Sequence, residues 1–158
     1  PVAIYVGRIA IEKNLKAFLD MPWLGDKLIV GSGPDHARLK TRYADARFVG
    51  AHKGEGLAAY YRCGDVFVFP SKTDTFGMVL IEAMACGLPL AGYNVTGPKD
   101  IITEDFLGAV DDDLSAAAQR ALNLGTADQR IQYAKTHYSW QSAAQEFMDA
   151  MMMMIDDD

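Results

Sequence analysis

Cysteine is scarce in this chain. Cys63 and Cys86 stand alone, with no Cys or His at metal-ligand spacing around either. That excludes a disulfide framework or a zinc module and makes a reducing compartment the default; both thiols read as small buried residues. Long apolar runs are missing too. None approaches the ~18 residues of a spanning helix, and no signal peptide is visible, so the chain reads as soluble and cytoplasmic. An excess of positive charge is also lacking. Fifteen Lys and Arg oppose 21 Asp and Glu, for a net charge of −6 and a pI near 5.0. This argues against nucleic acid as a partner, though a few local cations could still hold one small anion. The three histidines, His36, His52 and His137, share no spacing with each other or with acids that suggests a metal site or a triad. Each reads as incidental, although His52 falls in a loop of interest. An initiator Met is absent: the chain opens at Pro1 directly before a strand-like run, read as a sign that something upstream is missing. The closing Met151–Asp158 run is low in complexity and is expected to fray.

What is present is globular. The 158 residues, half of them hydrophobic, suit one domain with a substantial core. Short apolar runs alternate with helical segments over most of the length. The strands read VAIYV (2–6), KLIV (27–30), RFV (47–49), DVFVF (65–69) and PLAGY (89–93), with LGAV (107–110) weaker. Helices are predicted near 13–21, 35–44, 54–63, 76–86 and 98–103. Beyond 113 the pattern is wholly helical, at about 113–124, 127–137 and 140–154, the last with Trp140, Ala144, Phe147 and Met148 as an apolar stripe. The alternation predicts an α/β fold, a Rossmann-like doubly wound parallel sheet with additional carboxyl-terminal helices. The near-continuous apolar VAIYV and DVFVF fit strands buried on both faces. In such a sheet every loop that follows a strand opens on one edge, where ligands sit. The loops to inspect are Gly7–Lys13, Gly31–Asp35, Gly50–Gly54, Pro70–Gly77 and Asn94–Pro98.

The most informative stretch runs from Phe69 to Gly87. A buried strand ends at Pro70, a polar loop follows, and a helix is predicted from Phe76 to Cys86, apolar nearly all round and hence buried. Glu82 is its only charged residue. A carboxylate is costly to bury unless something hydrogen-bonds it, so either a protein donor or ligand hydroxyls must meet it. At the helix start, Asp74, Thr75, Phe76 and Gly77 bring free N–H groups and a positive dipole end to the crevice. Gly77 permits close approach of a ligand, and Asp74 or Thr75 could serve as N-cap.

After the first strand, Gly7 allows a sharp turn, and Arg8 and Lys13 flank the next helix start. Two cations there suit a diphosphate, though each is also an ordinary surface cation when taken alone. Gly31-Ser32-Gly33-Pro34-Asp35 has His36 where a dinucleotide fingerprint needs its third Gly, and reads as a tight turn into a helix. Asp111-Asp112-Asp113 reads as a solvated turn with an N-cap, not a metal-binding pair.

At this point the sequence resembles glycosyltransferase family 4, the group 1 glycosyl transferases, which are retaining enzymes of the GT-B fold. The matching blocks are VGRIAIEKN (6–14), KLIVGSGP (27–34), RFVG (47–50), LAAYYRCGDVFVFPS (57–71) and TFGMVLIEAMACGLPL (75–90). They fall in order along one half of a GT-B fold, the carboxyl-terminal domain, so residues 1–158 are expected to be one donor-binding domain without its amino-terminal acceptor domain. The family's E-x7-E acids map to Asp74 and Glu82. The resemblance implies that Glu82 takes the ribose hydroxyls. Asp74, a methylene shorter than the usual Glu, takes the hydroxyls of the transferred sugar.

By the same resemblance Arg8 and Lys13 grip the β-phosphate, and Thr75, Phe76, Gly77 and Gly7 line the donor. Val49 and Gly50 present backbone groups to the base. Asn14 stands where the family often has Gly. The implied reaction moves a sugar from a nucleotide-diphosphate sugar to an acceptor hydroxyl with retention, and needs no metal because the two cations stabilise the leaving diphosphate. No other cofactor is implied. Expected partners are the nucleotide sugar, the amino-terminal domain, and a lipid or polysaccharide acceptor, with peripheral association at the inner membrane face. The isolated domain is expected to be inactive. Competing readings are a GT-B nucleotide-sugar epimerase or phosphorylase and a non-catalytic Rossmann-like module. An oxidoreductase is the least favoured, since no intact Gly-rich fingerprint follows a strand.

Overall fold

The computed structural model describes residues 1–74 and 77–139. The expected helix at 140–154 with its Trp140 stripe, and the site candidates Thr75 and Phe76, lie outside the described residues.

Six strands form one sheet: β1 (Val2–Val6), β2 (Asp26–Val30), β3 (Arg47–Phe48), β4 (Val66–Phe69), β5 (Leu90–Tyr93) and β6 (Gly108–Asp111). All pair in parallel, in the order β3-β2-β1-β4-β5-β6. This is the doubly wound arrangement expected from the alternation. The helices between strands are α1 (Leu15–Asp20), α2 (His36–Arg42), α3 (Gly54–Cys63), α4 (Met78–Ala85) and α5 (Pro98–Ile101); α6 (Leu114–Ala121) and α7 (Ala127–Tyr138) follow the last strand.

Strand alternation divides the core in two. On one face Ala3, Tyr5, Ile29, Val66 and Val68 pack with Phe18 of α1, Leu39 of α2 and Ala117 and Ala121 of α6. On the other, Ile4, Val6, Phe67 and Phe69 pack with Tyr61 of α3, Leu80, Ala83 and Met84 of α4, Ile101 of α5 and Ala134 of α7. Full burial of each large side chain is worth roughly 1.5–3 kcal/mol, and Ile4, Phe18, Phe67, Leu80 and Met84 are completely enclosed. Asp113 caps α6, accepting from the N–H groups of Ser115 and Ala116, so the acidic run acts as the cap and turn expected of it. Among the described residues no helix is long and apolar enough to cross a membrane.

Three expectations need correction. The segment near 13–21 is a 3-10 turn at Ile11–Lys13, then α1 from Leu15, because Asn14 adopts a left-handed conformation (φ 56°) that interrupts the helix. α4 is not buried all round: Leu80, Ala83 and Met84 face the core, while Met78 is 57% exposed and Ala85 is also exposed. Its apolar composition therefore overstates its burial, since one side lines an open edge. The cysteines are not both buried either. Cys63 is exposed and Cys86 only half-buried, and both are free. Cys63 ends α3 between Arg62 and Gly64, at a helix terminus rather than in the core.

Candidate functional site

Strand order dictates where a ligand crevice opens. β1 is followed by chain that runs toward β2, whereas β4 lies on its other side and leads on toward β5. The loops after β1 and β4 therefore diverge, leaving a gap at the carboxyl edge between them. A cleft of about 460 Å³ occupies this gap, lined by Gly7, Arg8, Glu12 and Lys13 from the first loop, by Pro70, Ser71 and Asp74 from the second, and by Gly77, Met78 and Val79 at the start of α4.

The first loop is held from below. The Tyr5 hydroxyl donates to the Arg8 carbonyl at 2.7 Å, and burial, with Asp74 and Glu12 nearby, pushes the phenol well above its ordinary range so that it remains a donor. Backbone packing fixes the loop from the side. Gly7 N–H donates to the Val30 carbonyl and Ile9 N–H to the Ser32 carbonyl. A β-carbon at Gly31 would lie 1.8 Å from the Gly7 oxygen, which is why that turn tolerates only glycine. Asn14 joins the two loops. Its left-handed backbone reverses the chain, and its side-chain amide donates to the Pro70 carbonyl at 3.0 Å. A left-handed residue is the position where Gly is easiest and Asn next.

In the second loop the buried Ser71 hydroxyl accepts from the N–H groups of Thr73 (3.4 Å) and Asp74 (3.3 Å). That turn delivers the Asp74 carboxylate to Lys13, whose Nζ lies 3.0 and 2.9 Å from its two oxygens. Lys13 and Asp74 are thus partners across the gap, with side chains 30% and 29% exposed. The exposed Arg8 forms no ion pair among the described residues. Of the charged side chains lining the cleft, Arg8 and Lys13 are cationic and Glu12 and Asp74 anionic. Two against two leaves it formally neutral, not the unopposed cation pair that the sequence suggests.

The first turn of α4 also differs from expectation. The helix begins at Met78, two residues later than predicted, and its N-cap is Gly77 in an extended conformation, not Asp74 or Thr75. Among the described residues no side chain caps it, so its positive end faces the cleft. A β-carbon at Gly77 would crowd Leu80 at 3.0 Å and Phe69 at 3.2 Å.

Glu82 does not line that cleft. It lies further along α4 in a neighbouring hollow of about 300 Å³ between α3 and α4, with Gly54, Leu57, Ala58, Tyr61, Ala85 and Cys86. The protein donor that meets it is Tyr61, whose hydroxyl is 2.7 Å from Oε2. Sequence reasoning missed Tyr61, Tyr5, Glu12 and Ser71; a tyrosine in an apolar run carries no sign of where its hydroxyl will point.

Val49 and Gly50 lie apart from both hollows. β3 ends at Phe48, before them. The Val49 carbonyl contacts His52 Nε2 at 3.0 Å, and the Gly50 carbonyl accepts from Gly31 N–H at 2.9 Å. Both carbonyls thus already have protein partners. His52 lines a third hollow, which shares Gly7 and Arg8 with the main cleft. Among the described residues no three His, Cys, Asp or Glu side chains converge as a metal site would require.

Residues 1–126 match the family described as glycosyl transferases group 1. The chain is 39% identical over 113 residues to a sulfoquinovosyl transferase of Arabidopsis thaliana, a match covering 68% of this chain and 22% of that protein. It is 40% identical over 110 residues to a GDP-mannose-dependent alpha-mannosyltransferase of Mycobacterium tuberculosis, covering 68% and 29%. The matched stretch therefore spans less than a third of either relative. In fold it resembles the lipopolysaccharide outer core galactosyltransferase WaaB, with a TM-score of 0.81 at 19% identity over 97% of this chain and 49% of that one.

Proposed function

The chain belongs to the group 1 glycosyl transferases, and from that premise we propose that it is the donor-binding half of a retaining enzyme that moves a sugar from a nucleotide-diphosphate sugar to an acceptor hydroxyl. The observation that carries the reading is the meeting of Arg8, Lys13 and Asp74 in one cleft at the β1–β4 gap, with Glu82 in the adjoining hollow on the same helix.

In this reading the diphosphate lies in the main cleft. Arg8 and Lys13 neutralise the charge that grows on it as the glycosidic bond breaks, and the positive end of α4 adds to that field. Stabilisation by fixed cations makes the reaction metal-independent. Asp74 turns from Lys13 to the hydroxyls of the transferred sugar. The nucleoside runs along α4 into the second hollow, where Glu82 accepts from the ribose hydroxyls. Gly7 and Gly77 line the cleft with backbone, although a β-carbon at Gly77 would meet Leu80 and Phe69 rather than a ligand, and the family resemblance assigns Thr75 and Phe76 to the donor as well. Of the backbone groups of Val49 and Gly50, the Gly50 N–H is the one offered near the base, because the Val49 N–H is given to the Ile29 carbonyl at 3.1 Å and both carbonyls have protein partners. The acceptor is held by the amino-terminal domain, so this chain alone binds donor and does not turn it over.

Calorimetry of the chain with UDP, GDP and ADP in EDTA tests this. At least one is expected to bind, and Arg8→Ala and Lys13→Ala are each expected to weaken it roughly tenfold, the loss of one charge-assisted contact. Failure of all three nucleotides to bind at millimolar concentration would refute the reading. Rival enzymes are separated by products of the complete protein: a phosphorylase requires orthophosphate, and an epimerase transfers nothing to an acceptor.

A further inference from the structure

The second hollow contains a contact that this reading of the donor site leaves unexplained. Glu82 projects from α4 and is half-exposed, so the side chain itself has three rotatable torsions and an open side. A carboxylate so placed wanders, and ordering it on binding costs affinity. The Tyr61 ring cannot wander. It is 1% exposed and sits between α3 and the sheet, 5.9 Å from the Phe67 ring of β4. Its hydroxyl reaches Glu82 Oε2 at 2.7 Å, against 3.4 Å to the Val79 carbonyl one turn earlier on α4. A phenol has one proton to give, and the shorter, charge-assisted contact takes it.

We propose that Tyr61 is a positioning residue: its buried hydroxyl pins one oxygen of Glu82 and leaves the other, Oε1, free to accept from the hydroxyls of a nucleotide ribose. The proposal rests on the assignment of the ribose to Glu82. Burial, then the neighbouring carboxylate, pushes the phenol far above its usual range, so Tyr61 stays protonated and always donates. An ionised carboxylate only accepts. Glu82 lines the hollow together with Gly54, Leu57, Ala58, Ala85 and Cys86. Among these the Cys86 thiol is the one side-chain donor besides Tyr61, a weak one, and the carboxylate's hydrogen bond to a side chain is the one that Tyr61 gives to Oε2.

The experiment measures calorimetric affinities for UDP, GDP and ADP beside their 2′-deoxy forms, for the wild type, Tyr61→Phe, Glu82→Gln and the double variant. Tyr61→Phe removes one oxygen and keeps the ring contacts. It is expected to weaken the ribonucleotide roughly fivefold and to shrink the preference for ribo over deoxy, with the double variant no weaker than Glu82→Gln alone. A merely structural role for Tyr61 would leave the ribo preference intact and give additive losses, and either result overturns the proposal. Glu82→Asp supplies a second reading. It leaves Tyr61 in place but shortens the arm, and is expected to lose the ribo preference to the same degree; retention of the preference would count against the pinning. If Glu82→Gln weakens binding while Tyr61→Phe matches wild type, positioning fails and the ribose assignment stands. If Glu82→Gln changes nothing, or no nucleotide binds, both fall.

Discussion

Neutralising Asp74 should tighten the binding of a bare nucleoside diphosphate, the opposite of what loss of a site residue usually does. Lys13 is not free in this structure: both carboxylate oxygens of Asp74 lie at hydrogen-bond distance from its ammonium. An anion entering the cleft must draw Lys13 from that partner or share it. The pair is roughly two-thirds buried, so solvent screens it only in part, and separating it costs about 0.5–1 kcal/mol. The carboxylate also repels the ligand directly, by about 0.7 kcal/mol per charge at roughly 6 Å in a water-like dielectric. Asp74→Asn removes both terms while keeping the shape and the Ser71 turn. The sum, about 1.2–1.7 kcal/mol, corresponds to roughly eight- to eighteenfold tighter binding.

The assay is calorimetry of whichever of UDP, GDP and ADP binds, at low and high ionic strength. The gain should shrink with salt, since the screening length falls from about 10 Å at 0.1 M to about 3 Å at 1 M. For the matching sugar conjugate the gain should be smaller or reversed, because the variant loses the acceptor proposed to hold the sugar. Unchanged or weaker binding of the bare diphosphate at low salt would refute the reasoning, and with it the placement of the phosphates beside Lys13.

Three further outcomes concern the scaffold. Asn14→Ala should destabilise the fold by about 1–2 kcal/mol in urea unfolding, since it strains the left-handed backbone and removes the bond to Pro70. Asn14→Gly loses only the bond, about 0.5–1 kcal/mol, and a Gly variant weaker than the Ala variant would contradict this account. Arg130→Met should cost about 3 kcal/mol by the same measurement, because the buried guanidinium donates to the carbonyls of Gly87, Phe106 and Leu124; a loss below about 1 kcal/mol would show that other donors replace it. The Asp113 backbone N–H, then Arg120, holds the Asp111 carboxyl below its ordinary value. A depressed carboxylate stabilises the fold above the ordinary aspartate range, near pH 4, and loses that contribution as pH falls toward the folded value. Thermal midpoints of Asp111→Asn should therefore decline less steeply below about pH 4 than those of the wild type, and parallel curves would remove Asp111 from the acid limb.

The central strands β1 and β4 were the most legible because their residues are apolar for a reason local to each strand. Val66–Phe69 sends alternate side chains into two buried faces, so no polar residue fits anywhere along it. The ends of elements were less legible. Gly77 takes an extended conformation and α4 starts after it, at Met78; a β-carbon there would meet Leu80 of α4 and the Phe69 ring of β4, a crowding that the local pattern does not reveal. The sequence singled out Arg8, Lys13 and Asp74, which line one cleft, but not the pairing of the last two. Lys13 and Asp74 lie far apart in the sequence, and only the β1–β4 adjacency brings them together. Opposite charges in two loops on the same sheet edge were the available signal. For Cys63, the flanking Arg62 and Gly64 were the sign that it closes a helix and does not enter the core.

The spacing of the two acids acquires a physical meaning from where they fall. Asp74 precedes α4, and Glu82 lies within it, on separate hollows that share the helix as a wall. From Gly77 to Glu82 the helix rises about 7.5 Å, which keeps the two carboxylates too far apart to grip one group. Under the proposed function they grip opposite ends of one donor, the sugar and the ribose, with the diphosphate between them beside Arg8, Lys13 and the positive end of the helix. A rigid helix is then the ruler of the site. Its first turn supplies the field for the leaving group, and its second turn sets the distance at which the nucleoside is held. Moving Glu82 by one residue in either direction would turn it about 100° around the axis, out of the hollow and away from Tyr61. The acids are therefore tied to each other by helix geometry, although they never touch.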